Sequence, residues 1–437
     1  MHSAGEVQDR DGGAVRRARK IVGRTLARAR EVCADAVALG VAAVRAGSGS
    51  ARPDPARREG VPTAVAAGRS AAGKPKPGID LTEAFRIATA SSGRPAGQLL
   101  REVVALWCGR GRLAPREYFY YRLYEKHYSP DERRRFLGYA AQTRINKRAN
   151  PSHWWLVTRD KLLFYAAAQG FGYPIPEILA VHHPSRAFGR APGLRSAAEL
   201  AAFLREGVRY PCFAKPVRGM FSRGAYAITG IDRAGDTLQL WDGGAVGVDA
   251  LAREVERSRQ GGYIFQALRE PHPAIAAVCG PRLATVRLVV TVGSSGPAVF
   301  RALWKVPTGG NIADNFWRPG NILCALDPAD GTVWRAIRGY GAALEEVDTH
   351  PDSGARLPGF ALPCWRELVA LTLDAARSFA PFRFQAWDVA VCPDGPLLVE
   401  LNVGGDFDLP QLATGRGLMD EDFAGFLAEC ARTAHPV

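Results

Sequence analysis

Gln385-Ala-Trp-Asp-Val-Ala-Val-Cys-Pro-Asp-Gly-Pro-Leu-Leu-Val-Glu-Leu-Asn402 consists of two apolar runs joined by Pro393-Asp-Gly-Pro396. Pro, Asp and Gly in that cluster are turn residues, so the stretch predicts a β-hairpin. With the turn centred on Asp394-Gly395, Asp388 lies opposite Glu400, and side chains that close share one face. Asn402 is two residues beyond Glu400 and falls on the same face. Trp387, Val389, Val399 and Leu401 take the other, apolar face. Two carboxylates and an amide thus converge, and no cation lies near them along the chain. Carboxylates that close repel unless something positive sits between them. Hard oxygen donors of this kind suit Mg²⁺, completed by phosphate oxygens and water. Asp388, Glu400 and Asn402 are therefore the candidate metal ligands. The plainer alternative is a pair of solvated carboxylates at a sheet edge.

Other stretches upstream carry chemistry of their own. In Tyr210-Pro-Cys-Phe-Ala-Lys-Pro-Val-Arg-Gly-Met-Phe-Ser-Arg-Gly-Ala-Tyr226, an apolar strand delivers Lys215. A loop containing Arg218, Gly219, Ser222 and Gly224 then returns into a second strand. Glycines allow backbone N–H groups to approach phosphate oxygens, and Lys215 supplies a point charge. The P-loop and GxGxxG patterns are absent, and a surface hairpin with solvated cations is the alternative. Thr158-Arg-Asp-Lys161 opens a helix, where Lys161 is either functional or a surface lysine. Tyr263-Ile-Phe-Gln-Ala-Leu-Arg-Glu-Pro-His272 is an apolar strand running into a polar connection. In Ala284-Thr-Val-Arg-Leu-Val-Val-Thr291, Val286, Leu288 and Val290 form one face and Thr285, Arg287 and Thr291 the other. An arginine in mid-strand suits a transferring phosphate; a cross-strand ion pair is the competing reading. Asn311-Ile-Ala-Asp-Asn315 is a polar loop able to close over a substrate, which makes Asn311, Asp314 and Asn315 substrate candidates.

The 437 residues are enough for two or three domains, and 47% hydrophobic content indicates a globular body with a real core. The net charge of +14 is uneven. Residues 1–80 carry 15 basic and 8 acidic groups, residues 101–150 carry 12 and 5, and residues 151–437 are close to neutral. Any nucleic-acid or anionic-membrane contact therefore falls to the N-terminal third. Residues 1–80 read as a basic Ala/Arg-rich tail and linker, largely disordered because a Gly-, Ser- and Pro-rich stretch cannot bury enough apolar surface. Residues 81–150 read as a helical pre-domain, and the remainder as an α+β body. The eight cysteines stand singly and predict free thiols, mostly buried, rather than zinc or disulfides. No apolar run is long enough to span a bilayer, and the N-terminus does not read as a secretory signal, so a cytoplasmic protein is expected.

Lys161, Lys215 with its glycine loop, Gln266, Arg287 and Asp388…Glu400-x-Asn402 occur in the order of the ATP-grasp superfamily. The chain most resembles the sugar-transfer-associated ATP-grasp family, over roughly residues 100–430. Lys215-Pro-Val-Arg-Gly-Met-Phe-Ser-Arg-Gly224, Thr285-Val-Arg287, Asp314-Asn-Phe316, His350-Pro-Asp-Ser-Gly354, Trp387-Asp388 and Glu400-Leu-Asn402 carry the resemblance. It implies an ATP-grasp fold, with residues 151–268 as the N-terminal lobe and residues 269–437 as the catalytic lobe. It also implies ATP and Mg²⁺ as cofactors. The adenine would lie against the hinge at Gln266, Ala267 and Leu268, and Lys161 and Lys215 would hold phosphates. Arg287 would neutralise the transferring phosphoryl group, with Arg287 and Lys215 as the catalytic cations. Two positions depart from the family pattern, Ala284 where an Asn is expected and Asn321 where a Gly is expected. The implied activity is a ligase that activates a carboxylate as an acyl phosphate for an amine or hydroxyl. Its setting would be surface-glycan, amino-acid or secondary-metabolite biosynthesis. The alternatives are an ATP-grasp kinase and a basic surface- or nucleic-acid-binding protein with a regulatory ATP fold. The expected partners are a small-molecule or glycan acceptor and its co-substrate, without nucleic acid, with peripheral surface contact left to the basic N-terminus.

Overall fold

The computed structural model describes residues 78–219 and 222–433. Residues 1–77 of the predicted tail, with Cys33, and the loop residues Met220 and Phe221 lie outside the described residues. Among the described residues no helix is long and apolar enough to cross a membrane.

Helices come first: α1 (Leu81–Ser92), α2 (Ala96–Cys108), α3 (Pro115–Tyr120), α4 (Pro130–Arg134), α5 (Tyr139–Ala149), α6 (Trp155–Arg159) and α7 (Lys161–Gly170). Their ends follow from local chemistry. Asp80 caps α1 through the Thr82 and Glu83 N–H groups, and Gly93 closes it at φ 64°. Ser129 and Glu132 form a reciprocal capping box at α4. Asp160 caps α7 by accepting from the Leu163 N–H.

Two seven-stranded sheets follow. The first contains β1 (Ile178–His182), β2 (Gly193–Leu194), β3 (Cys212–Pro216), β4 (Tyr226–Asp232), β5 (Thr237–Leu240), β6 (Ala245–Gly247) and β7 (Tyr263–Ala267), in the order β2-β1-β7-β3-β4-β5-β6. Helices α8 (Ala197–Ala202) and α9 (Val248–Arg257) share a core with it through Leu200, Leu251 and Val255. A short helix, α10 (Pro273–Cys279), leads to the second sheet. This sheet contains β8 (Val286–Gly293), β9 (Gly296–Val306), β10 (Ile322–Leu326), β11 (Val333–Arg338), β12 (Glu345–Glu346), β13 (Phe384–Cys392) and β14 (Gly395–Val403), in the order β12-β11-β10-β9-β8-β13-β14. Helix α11 (Trp365–Ser378) covers one face, joining Trp304, Trp387 and Leu368 in the main core. On the opposite side, α12 (Asp408–Thr414) packs with α1 to α3 against β9, β10 and β11. Helix α13 (Glu421–Arg432) packs with α5.

Packing and hairpin register both bear on the site. The helices of residues 81–149 share cores with the second sheet, burying Phe85, Leu99 and Phe119 with Leu303 and Leu323. The hairpin also carries a bulge: Asp388 pairs with Glu400, but Val389 pairs with Leu398, leaving Val399 as the extra residue. Val399 was expected beside Trp387 and Leu401; the bulge turns it toward Ala390, Cys392 and Leu397 instead. Every residue of β13 is buried: α11 covers one face, and on the other α5 and α13 pack on Phe384 while Arg287 and Lys305 meet Asp388. Six of the seven described cysteines are buried or half-buried as expected, and Cys108 is exposed.

Candidate active site

The register of three adjacent strands builds one column of charge. Arg287 on β8 lies opposite Asp388 on β13, and Asp388 lies opposite Glu400 on β14. Arg287 donates from Nε and Nη2 to Asp388 Oδ1 and Oδ2 at 2.8 and 2.7 Å, a bidentate pair of the stronger kind. Lys305 on β9 places Nζ 3.2 Å from Asp388 Oδ2 and 3.6 Å from Asp314 Oδ1. Asn402 donates to the same Oδ2 at 3.3 Å. Burial pushes the Asp388 carboxyl up, but Arg287 and Lys305 outweigh it and hold the group down to about 2. Burial likewise opposes the charge on Arg287, and Asp388 restores it above the usual arginine value. The cross-strand ion pair weighed for Arg287 is therefore present. The cations missing near Asp388 along the chain arrive from neighbouring strands.

Lys161 and Lys215 are held differently. Lys161 is buried at the start of α7, where the positive end of the helix dipole disfavours a second positive charge. Its Nζ donates to the Gly219 carbonyl at 2.7 Å and lies 3.2 Å from Glu400 Oε1. Asp160, the cap beside it, accepts a bidentate pair from Arg186 at 2.8 Å. A surface lysine has none of this. Lys215, on β3, donates to the Tyr165 hydroxyl at 2.7 Å. Burial pulls its ammonium down to about 8, against the opposing pull of Glu400 and Asp388.

The glycine loop is shaped partly by its own chain. A Cβ on Gly224, at φ +70°, would lie 2.8 Å from the Tyr263 hydroxyl. The Arg218 N–H donates to Gln260 O, and its side chain reaches Asp160 at 3.5 Å. Ser222 adopts φ 53°. At the proposed hinge, the Ala267 and Leu268 N–H groups donate to Glu177 O and Pro211 O, so neither remains for a ligand. Gln266 stands beside the Tyr165 hydroxyl, yet its amide nitrogen is buried with no partner in hydrogen-bond geometry.

The polar loop expected to face substrate is organised by Asn321. Its side chain accepts from the Thr308 N–H and the Asn311 amide and donates to the Ala313 and Asn315 carbonyls. A Gly side chain could make none of these bonds. Asn311 and Asn315 serve the loop itself, Asn315 by accepting from the Trp317 N–H. Asp314 faces the charge column: it accepts from the Thr285 N–H and hydroxyl at 2.7 and 2.5 Å and approaches Lys305. His350, from the same motif set, is buried against the Pro307 carbonyl at 3.0 Å.

A family model for sugar-transfer associated ATP-grasp proteins matches residues 140–424. The chain belongs to the sugar-transfer associated ATP-grasp family. The two sheets with their covering helices are thus an ATP-grasp fold of the α+β class. Comparison with curated proteins gives no match. Among solved structures, the ADP complex of purK, N5-carboxyaminoimidazole ribonucleotide synthetase, is similar at 11% identity and TM-score 0.34, over 64% of this chain and 56% of that one. L-amino acid ligase from Bacillus licheniformis matches at 14% and 0.32, over 64% and 52%. The ATP-grasp ligase PsnB complexed with minimal precursor matches at 15% and 0.34, over 67% of both chains. This chain spans about half the length of the first two. Likeness at this level carries no argument, and the family rests on the family model.

For an ATP-grasp protein the donor set fits a divalent cation in one specific way. Among the described residues no three His, Cys, Asp or Glu side chains converge. The candidates are two carboxylates and one amide. Asp388 Oδ2 already accepts from Arg287, Lys305 and Asn402, whereas Oδ1 accepts only from Arg287. Glu400 is partly exposed and meets Lys161 through Oε1. Oδ1 of Asp388, Oε2 of Glu400 and Oδ1 of Asn402 are hard donors, too few for a full shell, as expected where phosphate oxygens complete a Mg²⁺ site. Two cavities, of about 500 Å³ beside Gly224 and Arg257 and about 580 Å³ beside Leu163 and Phe188, lie apart from these groups.

Sequence reasoning passed over Lys305 and Tyr165. A lysine within the otherwise apolar run Ala302–Val306, buried along its length, was a readable signal. So was Tyr165, four residues after Lys161 and hence on the same helix face.

Proposed function

We propose that this chain is an ADP-forming, Mg²⁺-dependent ligase that activates a carboxylate as an acyl phosphate for attack by an amine or hydroxyl. The observation that carries the reading is a cluster of four cations: Lys161 meets Glu400, Arg287 and Lys305 meet Asp388, and Lys215, bonded to Tyr165, feels the charge of both carboxylates. A site so rich in preorganised positive charge suits a transferring phosphoryl group, whose charge must be neutralised as it moves. Lys161 and Lys215, with Arg218, Gly219, Ser222 and Gly224 of the loop, would bind the polyphosphate. Gln266 would meet the nucleotide base, beside Ala267 and Leu268. Asp388, Glu400 and Asn402 would hold Mg²⁺, which supplies charge neutralisation between phosphate groups. Arg287 keeps three N–H donors beyond the two used by Asp388, and with Lys305 would face the γ-phosphate. The acid's carboxylate oxygen attacks phosphorus and ADP leaves. The amine then attacks the acyl carbon, phosphate leaves, and the amine loses a proton. Asp314, through Lys305 and Thr285, would set the acceptor side, with Asn311 and Asn315 shaping the loop.

The same cations serve a kinase equally well, so the product decides. With a carboxylic-acid panel, ATP, Mg²⁺ and hydroxylamine, the expected result is a hydroxamate with ADP and free phosphate. A stable phosphate ester without hydroxamate overturns the ligase reading in favour of the kinase. AMP with pyrophosphate overturns both.

A further inference from the structure

Tyr165 is a fully buried tyrosine with a hydroxyl that joins the two sheets. Its Oη lies 2.7 Å from Lys215 Nζ on β3 and 2.9 Å from the carbonyl oxygen of Val399 on β14. The direction of each bond is forced. A carbonyl can only accept and an ammonium can only donate, so Tyr165 donates to Val399 and accepts from Lys215. Val399 is also the bulged residue of β14, immediately before Glu400. Extra residues at bulges are left out of the ladder and re-aim their neighbours. Tyr165 lies one helical turn after Lys161, whose Nζ meets Glu400, so the same helix face touches β14 twice.

We infer that Tyr165 is a positioning residue that aims Lys215 at the nucleotide phosphates and, through the Val399 bulge, registers that lysine against the strand bearing Glu400 and Asn402. The inference rests on the proposed nucleotide site and adds a residue that contacts neither phosphate nor metal. Its chemistry is one-way: Lys215 Nζ–H to Tyr165 Oη, then Tyr165 O–H to Val399 O. Removing the hydroxyl leaves the Val399 carbonyl without its donor and Lys215 without its acceptor, while the phenyl ring still fills the core beside Phe164. Both ends of the link then relax, and the ammonium loses its fixed aim.

The test is a double-mutant cycle on Mg-ATP affinity by calorimetry, with Tyr165→Phe, Lys215→Met and the pair, in the full chain. Melting temperature without nucleotide serves as the control for folding. Because Tyr165 acts through Lys215, Tyr165→Phe is expected to weaken binding about tenfold. In the Lys215→Met background the same change should cost less than about twofold, since its partner is gone. A general packing defect would instead weaken both backgrounds equally and lower the melting temperature in step. Additive losses overturn the inference, as does a folded Tyr165→Phe chain with unchanged affinity. If the wild-type chain binds no nucleotide, the nucleotide reading itself fails and this inference falls with it.

Discussion

The four cations of the site fall into two pairs that the protein treats in opposite ways. Arg287 and Lys305, on the second sheet, are matched to buried Asp388 within 3.2 Å, and their charge is largely answered from inside the fold. Lys161 and Lys215 donate to neutral oxygens, the Gly219 carbonyl and the Tyr165 hydroxyl, and only Lys161 touches a carboxylate, Glu400. The first pair is anchored on Asp388, and only its remaining donors are left to meet a phosphoryl group. The second pair carries charge that a polyphosphate can still satisfy. Stability and ligand binding should therefore separate along this division.

The division breaks most visibly at Asp388. Asp388→Ala leaves Arg287 and Lys305 buried without their counter-charge, and removing one partner of such a network costs about 3–5 kcal/mol. Denaturant unfolding should show that loss. A change below about 1 kcal/mol would mean that solvent, rather than Asp388, balances the two cations.

Lys215→Met should behave in the reverse sense. It removes a cation that burial already disfavours, so unfolding stability should hold, while Mg-ATP affinity falls on the order of 100-fold, the scale of a charged hydrogen bond. The sign of the pH effect follows from the same group. The charged form binds phosphate, and burial has pulled the free-chain value down to about 8. Affinity should therefore be full below that pH and decline by about tenfold per pH unit above it. Lys215→Met should flatten that alkaline limb.

The hairpin core of the site was legible because its signals are local. A Pro-Asp-Gly-Pro turn sets which residues face each other, and Asp388 does pair with Glu400. The bulge at Val399 was not legible, because it depends on what α7 presents to the strand. Arg287 was visible as a polar residue in an apolar strand, but its partner was not, since sheet order β9-β8-β13 is a long-range property. Lys305 stood out as a lysine in an apolar run, but its partners did not, since Asp388 and Asp314 each lie on another segment. Asn321 was legible only as an anomaly, and its four hydrogen bonds explain why Asn suits that loop. The Gly224 requirement was read as phosphate approach, while Tyr263 on β7 imposes it from within.

The smallest effect belongs to the tail. Residues 1–77 hold none of the charged groups of the site, so their deletion should leave Mg-ATP affinity within a few-fold in the same calorimetric assay. Binding to acidic vesicles at low salt should fall on that deletion if the basic excess serves a surface. A deletion that abolished nucleotide binding would place the tail in the site.

The most direct test is calorimetric titration of ATP into the full chain with Mg²⁺ and with EDTA, repeated for Glu400→Ala. The account predicts tight binding with Mg²⁺, a loss of at least about tenfold with EDTA, and a Glu400→Ala chain whose weaker binding no longer depends on the metal. Equal affinity with Mg²⁺ and EDTA in the wild-type chain, or an unchanged magnesium dependence in Glu400→Ala, would contradict it.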